Sequence, residues 1–353
     1  MKMKKLSKKN IGMAAAVIGV VVLAAGVAVY THIRDYEDPS GVTSEGPAES
    51  SPAAPTFQQT VDPDSESPTA DRLILYDGVE YRYRDDIDTL LVIGTDDFEL
   101  EQEETSTHRN NSQSDLLLVV VFDNTNKTYR IIQINRDTMT GIRKYDAYGQ
   151  YVGIVNLQIA LSHTYGTGGQ DSCRDTVYAV SRLLYDSDIN NYVSVTMSAV
   201  PIFNDLVGGV DVLIEDNFEG VDDTLVMGQT VHLQGDHALT FVRSRMSMTD
   251  DATNIARMRR QRTYIVALME ALGEAFDADP DFELRAFSAL SDYMVTDMTT
   301  DRLEELTDRF NEYGEEAIIV PEGTSVEGDR FMEFYVDEDA LQAMVVDTFY
   351  EPT

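Results

Sequence analysis

The chain reads as an α/β protein: an α/β/α-like sandwich with a central mixed sheet flanked by helices, preceded by one N-terminal transmembrane helix and a disordered linker. Three observations lead there. Short apolar runs rich in Val, Ile and Leu, at 89–93 and 116–122, have the length and continuity of strands buried on both faces. Segments with helical apolar spacing, at 171–185 and from Asn254 toward Phe276, alternate with such runs along the chain. Ahead of both lies an uncharged stretch unlike either.

That stretch, 11–30, is built from Ala, Val, Gly, Ile and Leu and follows Lys2, Lys4, Lys5, Lys8 and Lys9. Twenty helical residues span roughly 30 Å, the thickness of a bilayer core. The lysines keep 1–10 inside as a basic cytoplasmic tail, 11–30 is a signal anchor, and the rest lies on the outer side of the cytoplasmic membrane. A cleaved signal peptide, with Gly26-Val27-Ala28 as its processing site, is the alternative. Either one exports the remainder.

The exported part is strongly acidic. The formal net charge is -35, and beyond position 30 the only lysines are Lys127 and Lys144. Phosphate backbones are repelled by such a surface, which argues against nucleic acid as a partner. Cys173 is the single cysteine, so neither an intrachain disulfide nor a CxxC metal site exists. It shares helical spacing with Val177, Val180 and Leu184 and reads as a buried structural thiol. Residues 31–80, rich in Pro, Ser, Thr, Glu and Asp, form the disordered acidic linker.

Beyond the linker, 89–93 is a strand that ends at Gly94-Thr95-Asp96, and Asp115 opens the strand 116–122. The Asn124-Thr125-Asn126 turn joins it in a hairpin to 129–134, which delivers Asn135-Arg136-Asp137-Thr138 at its end. Helices follow at 156–165 and 171–185, separated by Gly166-Thr167-Gly168-Gly169, which matches no dinucleotide or Walker loop. Then come a strand at 192–197, a helix at 199–206, a strand at 210–214 and a helix at 236–242 that exits into Arg243-Ser244-Arg245. A long helix begins at Asn254. The Asp-rich stretch 277–281 lacks the glycine and the closing Glu of a calcium loop and reads as a turn between helices. The tail has a helix near 301–312, strands at 317–320 and 331–336, and a final helix from Asp337. We divide the folded part into 81–275, which carries the site residues, and a C-terminal α/β extension at 276–353.

Charged residues stand where strands end. Asp96 and Asp115 end and begin neighbouring strands, and two such carboxylates either cap turns or share a cation such as Mg²⁺. Six arginines lie between 243 and 262. On a helix Arg257, Arg260 and Gln261 stand at i, i+3 and i+4 and share one face, whereas Arg259 and Arg262 point elsewhere. Such a face is either solvated or a set of planar donors suited to phosphate oxygens. His163 and His237 fall on predicted helices as core or surface residues, and no Ser-His-Asp or Cys-His order stands out.

Taken together, Leu91-Val92-Ile93-Gly94-Thr95-Asp96, Ser114-Asp115, Asn135-Arg136-Asp137-Thr138, Gly208-Gly209-Val210-Asp211, Leu233 through Val242-Arg243-Ser244-Arg245, and Arg257-Met258-Arg259-Arg260-Gln261 resemble, in order, the motifs of the LytR-CpsA-Psr family. The resemblance covers 88–272. It implies a membrane-anchored phosphotransferase that moves a phosphorylated glycopolymer (teichoic acid, capsule or similar) from a polyprenyl pyrophosphate carrier to peptidoglycan, with Mg²⁺ at the pyrophosphate. It further implies Asp96 and Asp115 as metal ligands, and Arg136, Arg243, Arg245, Arg257 and Gln261 around the pyrophosphate. Arg136 and Asp137 would be catalytic, with Asp137 either a base or the group that orients Arg136; a carboxylate flanked by arginines is the weaker base. Three positions depart from the family pattern: Gln113 for Arg, Ile154 for Lys and Asn254 for Asp, with Arg109 or Arg260 as candidate replacements for lost charge. A pyrophosphatase acting on the same carrier, or a non-catalytic envelope-binding member, are the alternatives.

Overall fold

A computed structural model of the chain describes residues 58–60, 72–96, 110, 112–244, 254–279, 282–328 and 331–353. The basic tail, the anchor at 11–30, most of the linker, Arg109 and Arg245 lie outside the described residues. Among the described residues no helix is long and apolar enough to cross a membrane.

The ordered chain starts before the linker's expected end. Strands β1 (Gln58–Thr60), β2 (Leu73–Tyr76) and β3 (Val79–Tyr83) pair antiparallel within the stretch read as disordered to position 80. The reason is local: Asp77-Gly78 takes positive φ at both residues (49° and 76°), the turn that matches the twist of a two-residue hairpin. Ile74 on β2 is buried, which ties the hairpin to the core.

Three long strands follow, β4 (Ile87–Thr95), β5 (Ser114–Asp123) and β6 (Thr128–Ile134). Each pairs antiparallel with the next. The Asn124 turn is held by Asp123, whose Oδ1 accepts the backbone N–H groups of Thr125 and Asn126. A further hairpin, β7 (Met139–Tyr145) and β8 (Tyr151–Gln158), replaces the first part of the helix expected at 156–165. Only 159–164 coils, as a 3-10 segment.

Next come α1 (Gln170–Leu183), β9 (Asn191–Thr196), α2 (Ala199–Leu206), β10 (Val210–Leu213), α3 (Asp236–Arg243) and α4 (Asn254–Ala278), close to the expected spans, with β11 (Thr230–Leu233) and α5 (Phe282–Leu290) added. Then come β12 (Met294–Thr296), α6 (Thr300–Glu312), β13 (Gly314–Ile319), β14 (Gly323–Glu327), β15 (Met332–Val336), α7 (Glu338–Phe349) and β16 (Tyr350–Pro352).

The central sheet has the order β12-β9-β4-β5-β6-β13 and is mixed: β9 runs parallel to β4 and β13 parallel to β6. Residues 276–353 thus supply both of its edge strands. Alternation along each strand sorts the core into two layers. Leu91, Ile93, Val119 and Ile132 face α1 and α7. Leu90, Val92, Val120 and Ile131 face α6, through Leu303, Leu306 and Phe310. A third cluster joins β10 to α2, α3, α4 and α5. Cys173 is fully buried in the first layer, and burial pushes its thiol up to about 12, as befits a structural thiol.

Candidate functional site

Both aspartates lie where β4 and β5 meet. Gly94 is opposite Leu116 and Thr95 opposite Ser114, so Asp115 is the extra residue of a β-bulge. A bulge re-aims one side chain against the strand's alternation, and here it is an acidic one. Gly94 makes room for it: a Cβ there would sit 2.8 Å from the Cβ of Leu116. Asp96 follows directly, its N–H bonded to the carbonyl of Gln113 at 3.1 Å.

At the end of β6 the chain turns tightly. Thr138 N–H reaches the carbonyl of Asn135 at 3.0 Å, and Asn135 Oδ1 accepts the N–H of Asp137 at 3.0 Å. Asn in this position mimics a backbone turn. Arg136, only 6% exposed, pairs through Nη1 with Asp115, donates from Nη2 to Gln113 Oε1, and holds Nε 3.5 Å from Asp137 Oδ1.

The third contribution is the start of α4. Arg257 places Nη2 3.6 Å from the same Asp115 oxygen, while its Nε donates to Asn254 Oδ1 at 2.8 Å. Arg243, at the end of α3 and half exposed, stands 3.4 Å from Asp96. Asp115, Arg136, Asp137 and Arg257 therefore form one buried network, with Asp96 and Arg243 beside it. Gln261, one turn beyond Arg257, is buried with neither amide atom hydrogen-bonded among the described residues. Such a buried amide is completed by water, an ion or a ligand. Arg245 lies outside the described residues.

Two expectations need correction. Arg260 does not share the face of Arg257 and Gln261: it is turned toward α3 and β10, donating to Asp216 at 2.6 Å and to the carbonyl of Phe241 at 3.0 Å. It therefore supplies no replacement charge to the site, and Arg259 joins it on Asp216. Ile154 marks no missing charge either. It is 42% exposed on the β7–β8 hairpin, opposite Arg143. From this segment it is Gln158 that reaches the site, donating to Asp137 Oδ1 at 2.9 Å.

A divalent cation is compatible with this donor set. Asp96 Oδ1 and Asp115 Oδ1 are both buried, and guanidinium groups are the partners that stand against them. No group of three or more His, Cys, Asp or Glu among the described residues is arranged as a metal cage. Two carboxylates completed by phosphate oxygens and water is the pattern of Mg²⁺ rather than of an all-protein site.

Next to the network opens an apolar cavity of about 130 Å³, lined by Leu116, Met197, Phe203, Tyr264 and Leu268, with Gln261 in its wall. Its lining is mostly hydrophobic with one polar side chain, the character of an apolar-ligand site. The third core cluster surrounds it.

The chain is similar to known proteins in sequence and in fold. The chain is 28% identical over 232 residues to the polyisoprenyl-teichoic acid–peptidoglycan teichoic acid transferase TagU of Bacillus cereus, covering 65% of this chain and 70% of that protein. The TagU of Enterococcus faecalis is likewise 28% identical over 232 residues, with the same coverage. The fold matches Bacillus subtilis TagV (TM-score 0.54, 21% identity, 75% of this chain and 98% of that one) and TagT bound to LI-WTA (TM-score 0.54, 18% identity, 75% and 90%). A model of the LytR_cpsA_psr family matches residues 56–346. With most of its length under that model, this chain belongs to the LytR-CpsA-Psr family.

Proposed function

We propose that the protein transfers a phosphorylated glycopolymer, of the teichoic acid type on which the TagU relatives act, from a polyprenyl pyrophosphate carrier to peptidoglycan on the outer side of the membrane. The observation that carries this reading is the convergence of Arg136 and Arg257 on Asp115 beside an apolar cavity. A charged head and a long apolar tail on one ligand need that pairing of environments. The pyrophosphate would lie against Arg136, Arg243, Arg257 and Gln261, with Arg245 following Arg243 in sequence, and the polyprenyl chain would enter the cavity.

Charge balance supports a cation with the substrate. Asp96, Asp115 and Asp137 match Arg136, Arg243 and Arg257 one for one, so the described side chains offer a pyrophosphate no net positive charge. Asp96 and Asp115 would hold Mg²⁺, which when bound would neutralise phosphate oxygens. Arg136 and Arg257 would stabilise charge on the pyrophosphate as the transition state forms.

In the reaction a peptidoglycan hydroxyl oxygen bonds to the phosphorus that carries the polymer. The bond from that phosphorus to the bridging oxygen breaks, and polyprenyl phosphate leaves with the electron pair. Asp137 Oδ2 takes the hydroxyl proton or, if the proton goes to solvent, aligns the hydroxyl. Its other oxygen is engaged by Gln158 and lies 3.5 Å from Arg136 Nε.

The test is to incubate the full chain in detergent with a synthetic polyprenyl pyrophosphate bearing a short phosphorylated saccharide, peptidoglycan strands and Mg²⁺. Saccharide covalently attached to peptidoglycan, lost on chelation, supports the reading. Release of free saccharide phosphate with no attachment makes the enzyme a pyrophosphatase, and no turnover at all makes it a binding protein.

A further inference from the structure

Behind Asp137 the site is closed by a part of the chain that carries none of the charged motifs. Gln158, at the end of β8, is 8% exposed and uses both hydrogens of its amide nitrogen, one on Asp137 Oδ1 at 2.9 Å and one on the backbone carbonyl of Met332 at 2.7 Å. Met332 begins β15. Two residues on, the backbone N–H of Phe334 donates to the carbonyl of Asp137 at 2.9 Å, and Thr138 forms a bridge with Phe334. The C-terminal hairpin β14–β15 thus holds Asp137 twice, directly at its backbone and through Gln158 at its side chain.

We propose that Gln158 is a positioning residue for Asp137, and that the β14–β15 hairpin acts through it as a working part of the transfer site. The inference rests on the transferase reading. An amide whose two N–H groups are both committed has a fixed plane, so the Asp137 carboxylate cannot rotate without breaking a buried hydrogen bond. Its Oδ1 is engaged, and Oδ2 is left to the acceptor hydroxyl. A neutral donor fixes the carboxylate without adding a second cation beside the one that Arg136 already supplies.

The turn before Asp137 is braced from the same direction. Ala160 N–H donates to the carbonyl of Arg136 at 3.1 Å and Ile159 N–H to that of Thr138 at 2.7 Å. The segment 158–160 therefore backs residues 136–138 one by one. The hairpin itself depends on Gly323, where a Cβ would lie 2.4 Å from the backbone oxygen of Tyr335 and 2.7 Å from the Phe334 ring. Any side chain at 323 pushes the strand that carries Phe334, at a distance from the substrate.

The experiment is a kinetic double-mutant cycle on the full chain, with the synthetic lipid-linked saccharide as donor and peptidoglycan as acceptor. Gln158→Met keeps the volume of the side chain and removes both donors; Gln158→Ala is the second variant should Met pack poorly. Each is expected to lower kcat about 10- to 100-fold, the range for a misplaced reacting group, with the donor KM within about twofold of wild type. In an Asp137→Ala background, Gln158→Met should add no further loss, because non-additivity identifies two residues acting as one. Gly323→Ala should lower kcat in the same way without raising the donor KM. Losses that multiply in the double variant, or a Gln158→Met enzyme with wild-type kcat, overturn the proposal while leaving the transferase reading intact. A wild-type chain that transfers nothing overturns the transferase reading itself, and this proposal with it.

Discussion

Asn254 donates its Nδ2 to the Oδ1 of Asn135 at 3.1 Å, joining the start of α4 to the turn after β6. The same Asn135 oxygen accepts the N–H of Asp137, and Asn254 Oδ1 accepts Nε of Arg257. A single chain of hydrogen bonds thus sets the turn, the helix and the two arginines in relation to one another. It needs an amide at 254, which gives and accepts at once; the family's carboxylate can only accept.

Asn254→Asp should therefore weaken this chain rather than restore it, by setting a carboxylate oxygen against the acceptor oxygen of Asn135. The expected loss of stability is about 1–3 kcal/mol, the range for a buried polar group left without its partner. Urea unfolding of the variant and the wild type checks it; equal midpoints would mean that Asn135 turns its amide over at no cost.

Gln113→Arg tests the second departure. Gln113 now accepts from Arg136, so a guanidinium there removes an acceptor and sets two cations together. We expect lower thermal stability in the free protein, about tenfold tighter binding of inorganic pyrophosphate, and a steeper dependence of that binding on salt. Thermal unfolding reads the first effect, and calorimetric titration at two ionic strengths reads the other two.

His163 gives a pH dependence. It is fully buried, with Nδ1 3.1 Å from the carbonyl of Ser112, and burial lowers its pKa from 6.5 to about 4. The folded state keeps the ring neutral, whereas the unfolded chain takes up a proton below 6.5. Stability is therefore fully present above pH 6.5 and falls as pH drops toward 4, by up to about 3 kcal/mol from this residue. In His163→Gln that share of the acid sensitivity should vanish. Denaturant midpoints between pH 7 and pH 4 check it, and parallel curves for the two proteins would contradict it.

The cavity makes a prediction about tail length. Each buried methylene contributes about 0.8 kcal/mol, so donors with longer polyprenyl chains should bind more tightly until the cavity is full. Ile265 lines it. Ile265→Trp should abolish the advantage of long donors while leaving a short-chain donor unaffected, as read from KM over a series of chain lengths.

Much of this is legible in the sequence, for identifiable reasons. The long strands β4, β5 and β6 and the helices α1 to α4 declare themselves through apolar runs and 3.6-residue spacing, and six motifs in order carry the family. Arg260 escapes such reading because helical spacing gives a face but not the direction it turns: 257 and 261 are one turn apart, whereas 260 lies to the side where Asp216 waits. The β7–β8 hairpin is hidden because its own Gly153 and the helical look of 156–165 obscure the alternation. Gln158, Asn135 and Gln113 carry no charge, and nothing local to them signals that they hold a carboxylate or an arginine; only the meeting of distant segments does.

The central claim is that Asp115 and Arg136 belong to one working phosphate site and not to a structural ion pair. The direct measurement is the amount of polymer covalently linked to peptidoglycan in cells carrying Arg136→Ala or Asp115→Ala as the sole copy, with the amount of folded protein determined alongside. Loss of linked polymer in both, at wild-type levels of folded protein, is the predicted result. Unchanged linkage in either variant would contradict it.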